Sequence, residues 1–196
     1  VTLPKFFINR WPATVDQFRA FVTESGRAVD PHALEGPSNA PVTLVSLHDA
    51  LAYCEWLTEK LREHAKGFDT CKVMLPSEEE WEKAARGIGR RKYPWGDKAD
   101  PEKSNCAATR IGEPNAVGCF PDGASPYGCE EMCGNVWEWV RSQWDREELD
   151  DFSGRLRGGS FESENVGCSH IGHADSTIRL RVFGFRVVLL PFSSDL

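Results

Sequence analysis

Long apolar runs are missing from this chain. Its most extended ones, such as Val187–Leu190, fall far short of the ~20 residues a membrane-crossing helix needs, so no bilayer insertion is expected. Positive charge is in deficit too: 23 Lys and Arg stand against 30 Asp and Glu, for a net charge of −7. That balance argues against nucleic-acid binding through phosphate neutralisation. The basic stretch Arg86–Lys92 is local, flanked by acidic residues, and reads as a solvated helix end. Several catalytic signatures are absent as well. There is no phosphate-cradling glycine loop, no His-Glu-x-x-His, and no local Ser/His/Asp motif.

Cysteine is not scarce. Its seven positions (54, 71, 106, 119, 129, 133 and 168) make an odd count in a chain large enough to fold without staples. They read as reduced thiols rather than a disulfide framework. With no recognisable signal peptide in the sequence, this predicts a cytoplasmic protein. Cys129 and Cys133 lie close together, but no His or second Cys pair stands at zinc spacing, so both are expected to be small buried residues. At 196 residues, 40% hydrophobic and 27% charged, the chain has the material of an ordinary globular core. No internal repeat or Gly/Ser linker divides it, so residues 1–196 are expected to form one domain.

Three helices announce themselves by their first residues. Thr14-x-x-Gln17 is a capping box, Ser46-x-x-Asp49 and Ser77-x-x-Glu80 cap two further helices, and each precedes apolar residues at helical spacing. Gly26 and Gly87 stop the first and third helices. A strand is expected over Thr2–Arg10, and a long loop over 27–45. After Gly87 the chain is punctuated by Gly, Pro, Asn and Asp. Only brief strands fit there, around Leu156–Arg157, Leu180–Phe183 and Phe185–Leu190. Helices early and a loop-dominated second half predict an α+β fold rather than a βαβ sheet.

Chemistry concentrates at the C-terminal end. Gly134-Asn-Val-Trp-Glu-Trp139 puts two Trp around a Glu, which calls for a packed turn whose polar groups are all satisfied. Arg157-Gly-Gly-Ser-Phe161 and Gly184-Phe-Arg-Val-Val188 then bracket residues 162–183, a segment of mixed chemistry without regular periodicity. An irregular segment held in a rigid frame suits recognition. Trp144 and Asp145 read as packing and solvated loop.

In order along nearly the whole chain, these landmarks join Pro41-Val-Thr-Leu-Val-Ser46, Leu51-Ala-Tyr-Cys-Glu-Trp-Leu57, Leu75-Pro-Ser-Glu-Glu-Glu-Trp81 and Tyr93-Pro-Trp-Gly-Asp97. Together they resemble the formylglycine-generating-enzyme/sulfatase-modifying-factor domain, a variant of the C-type lectin fold with few short strands and long irregular loops. The resemblance implies three alternatives: a copper oxidase, a non-catalytic ligand-binding module, or a decayed accessory relative. The oxidase uses a Cys-x4-Cys pair, soft thiolates that suit Cu(I). Here Cys168 matches the first position and His173 stands at the second, so the pair is incomplete. A related branch forms carbon–sulfur bonds with iron and draws histidines from a separate helical domain, which these residues do not contain.

The same fold carries the variable proteins of diversity-generating retroelements, whose genes are rewritten at adenines near their 3′ end. This chain resembles them in keeping Gly158-Gly-Ser-Phe161, Asn165-Val166, Cys168, Arg179 and Gly184-Phe-Arg186. Its departures cluster at 167–173 and 180–182. The residue types found there are reachable by changing the first two bases of an AAC codon, whereas Glu162 and Glu164 are not. The expected function is therefore non-catalytic binding of a protein or other macromolecular ligand through a variable region over about 160–184. The contact residues would be Gly167, Ser169, His170, Ile171, His173, Leu180, Arg181 and Val182. No cofactor is required by this reading. The resemblance also implies a calcium role for Asn105, although the later Asn ligand of relatives is Ser125 here.

Overall fold

The computed structural model describes residues 2–141 and 153–191; Trp144 and Asp145 lie outside them. The three caps form as expected. Helix α1 (Val15–Ser25) opens with the Thr14 hydroxyl accepting from the Gln17 N–H, and Gly26 closes it at φ 66°. Helix α2 (Leu47–His64) is capped by Ser46 with Asp49, and α3 (Glu78–Arg86) by Ser77 with Glu80. These bonds occupy N–H groups that the first helical turn leaves without partners.

Seven short strands are found among the described residues, in two sheets. The first has the order β1 (Phe7–Ile8), β7 (Val188–Pro191), β2 (Cys71–Met74) and is antiparallel. Its central strand comes from the far end of the chain, so both ends of the sequence are tied together. The second has the order β5 (Ile171–Ala174), β4 (Gly154–Arg157), β3 (Trp137–Val140), β6 (Phe183–Phe185). Its β3–β6 pair is parallel and the others antiparallel.

Several expectations shift. The Thr2–Arg10 strand contracts to Phe7–Ile8, although the Asn9 N–H still donates to the Val187 carbonyl at 3.0 Å. The Trp-rich stretch, expected as a turn, is turn only at Gly134 and Asn135 (φ 88° and 66°) and strand from Trp137 on. The segment expected to be irregular contains β5, and β2 was not foreseen at all. Four-residue strands are too short to show alternation.

Because successive strand residues point to opposite faces, β3 serves two cores. Trp139 enters the larger one, with Phe18, Phe21, Tyr53 and Phe185 from α1, α2 and β6. Val140 enters a smaller one around Trp81, Met132, Cys129 and Cys168. No described helix is long and apolar enough to cross a membrane.

Candidate functional site

The frame is built on Glu138, which is fully buried. Its Oε2 accepts from the Trp81 indole N–H (2.7 Å) and the Arg186 Nε (2.6 Å), and its Oε1 accepts from Arg186 Nη2 (2.7 Å). Arg186, equally buried, donates its remaining N–H groups to the carbonyls of Asn9, Arg10 and Glu130. This bidentate pair ties β3, β6 and α3 to the N-terminal segment, and every buried charge in it is answered. Trp139 donates its indole N–H to the Val45 carbonyl at 2.9 Å. Gly184 must lack a side chain: a Cβ there would lie 2.7 Å from the Val42 carbonyl oxygen.

On this frame the expected contact residues divide by exposure. Ser169, Ile171, His173, Leu180 and Arg181 are exposed, Ile171 at 46% and Leu180 at 41%. Ile171 and His173 project from the outer strand β5, opposite Arg157 and Arg155 of β4. His170 and Val182 are half-buried, and Val182 packs on the larger core. Gly167 is buried, with a would-be Cβ 3.0 Å from the Lys92 carbonyl oxygen. It shapes the backbone and offers no contact of its own.

Trp137 joins two of these groups. Its ring lies 5.2 Å from the His170 ring and covers Gly172, where a Cβ would approach it to 3.2 Å, and its backbone N–H donates to the Val182 carbonyl at 2.8 Å. Arg181 is held from another side. Its guanidinium donates to Glu162 Oε1 (2.8 Å) and to the Gly112 carbonyl (3.0 Å), and lies 5.1 Å from the centre of the Phe161 ring. Trp137 and Glu162 are therefore part of the surface, though neither belongs to the clustered departures. Period 2 puts Trp137 on the core-facing side with Trp139, so the sequence pattern alone does not mark the first. Nothing local marks the second.

The copper-pair positions do not come together as two soft ligands. Cys168 is fully buried in the smaller core, and burial pushes its thiol up to about 12. His173 is exposed on the outer strand. Cys129 and Cys133 are buried, and burial raises both thiols.

Asn105 is buried in a polar network. Its amide donates to the Glu113 carbonyl (2.9 Å) and Asn135 Oδ1 (3.4 Å), and its own Oδ1 accepts from the Thr109 hydroxyl (3.2 Å). Asn135 Nδ2 reaches the Asn115 carbonyl at 3.3 Å, and Glu131 Oε1 accepts from the Gly118 N–H at 3.0 Å. Two buried oxygens, Glu131 Oε2 and Asn115 Oδ1, have no hydrogen-bond partner among the described residues, and burial pushes the Glu131 carboxyl up to about 7. Such oxygens suit a hard cation. Asn105, the residue expected to serve calcium, sits in the same loops with its carbonyl oxygen accepting from Thr109. Ser125 instead organises a turn, its hydroxyl accepting from the Tyr127 and Cys129 N–H groups.

The sulfatase-modifying factor enzyme 1-like domain model matches residues 1–190. Hercynine oxygenase of Mycolicibacterium smegmatis is 30% identical over 181 residues, covering 72% of this chain and 38% of the relative. Inactive C-alpha-formylglycine-generating enzyme 2 of Bos taurus is 37% identical over 120 residues, covering 56% and 35%. The chain thus spans little more than a third of the length of either relative. Among solved structures, Treponema denticola variable protein 1 superposes with a TM-score of 0.77 at 18% identity, covering 96% of this chain and 85% of that one. At that identity the likeness speaks to the fold alone, which is the C-type lectin-like fold.

Proposed function

Because the chain belongs to the sulfatase-modifying factor enzyme 1-like family, where enzymes and inactive members both occur, we propose that it is a non-catalytic ligand-binding protein. Its binding surface is formed by β5 and the segment 178–182. The observation that carries this reading is the contrast between frame and surface. Glu138, Arg186 and Trp139 are fully buried and hydrogen-bonded, while Ile171, His173, Leu180 and Arg181 stand exposed on the same sheet and its connections. Side chains presented on a rigid backbone lose little further freedom on binding. Their mix of aliphatic groups, imidazole and guanidinium suits a protein or other macromolecular partner.

The variable region over about 160–184 belongs to this proposal. Its departures from the family pattern fall mainly at exposed positions, as a diversified surface requires. Calcium, if bound, would stabilise the Glu131–Asn115 network rather than take part in recognition. The competing reading, a formylglycine-type oxidase or its decayed relative, is favoured by the retained Cys168 and by sequence relatives named as enzymes. The direct test supplies Cu(I) and a cysteine-containing sulfatase peptide to the purified protein. We expect no oxygen uptake and no aldehyde; turnover would overturn the binding reading.

A further inference from the structure

A cleft of about 1000 Å³ opens between the N-terminal segment, α3 and the Tyr127–Cys129 loop. Its walls are largely apolar, with Leu3, Phe6, Ile8 and Ala84 inside and Phe7 and Tyr127, each 54% exposed, at the surface. No Asp or Glu lines it, on a chain whose net charge is −7. Its charged lining is wholly cationic: Lys5, Arg10 and Lys83. Arg10 is already committed, donating to the buried Glu130 carboxylate through Nε at 2.8 Å. The two lysines are not. The Lys5 ammonium lies 5.1 Å from the centre of the Phe7 ring and that of Lys83 lies 5.8 Å from the Tyr127 ring. Among the described residues neither forms an ion pair.

We propose that this cleft binds a small anionic amphiphile, a carboxylate or sulfonate carried on an aliphatic or aromatic body. The Lys5 and Lys83 ammonium groups answer the headgroup, and the apolar body lies along Phe7 and Tyr127. The volume sits at the upper end of the roughly 300–1,000 Å³ usual for small-molecule sites. A purely apolar ligand would leave the lysines unused, and a cationic one would be repelled. The cleft shares no residue with the β5 surface, so the proposal stands apart from the ligand-display reading.

The test is a fluorescence titration of the purified protein with 1-anilinonaphthalene-8-sulfonate, followed by competition. Saturable binding is expected, displaced by decanoate and not by decyltrimethylammonium. The Lys5→Glu/Lys83→Glu variant should bind about tenfold more weakly or worse. Tyr127→Ala should also weaken binding, and His173→Ala should not. Each variant is checked for an unchanged melting profile, and Lys83→Gln replaces the double variant if that one fails to fold. Lack of saturation, equal displacement by the cationic surfactant, or indifference to both lysine variants would overturn the proposal. Capture by anionic phospholipid vesicles without decanoate binding would overturn it equally, by showing a membrane-facing surface instead.

Discussion

Glu138 receives two Arg186 hydrogen bonds and one from Trp81 without any solvent exposure. Removing one partner strands a buried charge. Arg186→Met should therefore cost about 3–5 kcal/mol in urea unfolding, with the loss shared by no ligand-contact residue. Glu131 makes a different statement. Its carboxyl moves from an ordinary 4.5 to about 7, chiefly through burial, so between those values the folded state holds a proton that the unfolded chain has released. Stability should fall as pH rises from 4.5 through 7, by about 3 kcal/mol in total. Glu131→Gln should remove that slope, and urea unfolding at several pH values measures it. The sequence made the Trp–Glu–Trp centre legible because indole N–H groups demand acceptors. It did not single out Glu131, whose shift arises from loops that meet only in the fold.

At the scale of elements, what was legible followed local chemistry. The three caps are complete within four residues each, so they could be read directly, and they form. Strand β5 could not be read, because Ile-Gly-His-Ala has weak strand preference and exists through pairing with β4 beneath Trp137. The same tertiary control separates Gly167 from its neighbours. The contact segment was found from its clustered departures, but only the Lys92 carbonyl reveals that Gly167 is buried. Substituting Ser169, Ile171, His173 and Leu180 by other small or polar residues should change stability by about 0.5 kcal/mol or less at each site. Gly134→Ala offers the contrast. A Cβ there would lie 2.2 Å from the Asn105 carbonyl oxygen at φ 88°, so thermal melting should show a large loss, of about 2 kcal/mol or more.

For the whole molecule, family and fold follow from ordered landmarks spread along the chain, while the proposed function rests on a few side chains that differ from those landmarks. The sheet, its two cores and the Glu138–Arg186 pair hold one geometry; exposed side chains of the outer strand and the 178–182 segment are proposed to vary upon it. That separation is the central claim. Its most direct test is to sequence the DNA flanking this gene, together with the codons for residues 158–190 in many cells. A neighbouring reverse transcriptase gene and an imperfect repeat of those codons are expected. Variation is expected only where the repeat carries adenine, falling on the exposed positions and sparing Gly184 and Arg186. An invariant segment without a repeat, or variation scattered equally through the frame, would contradict the claim.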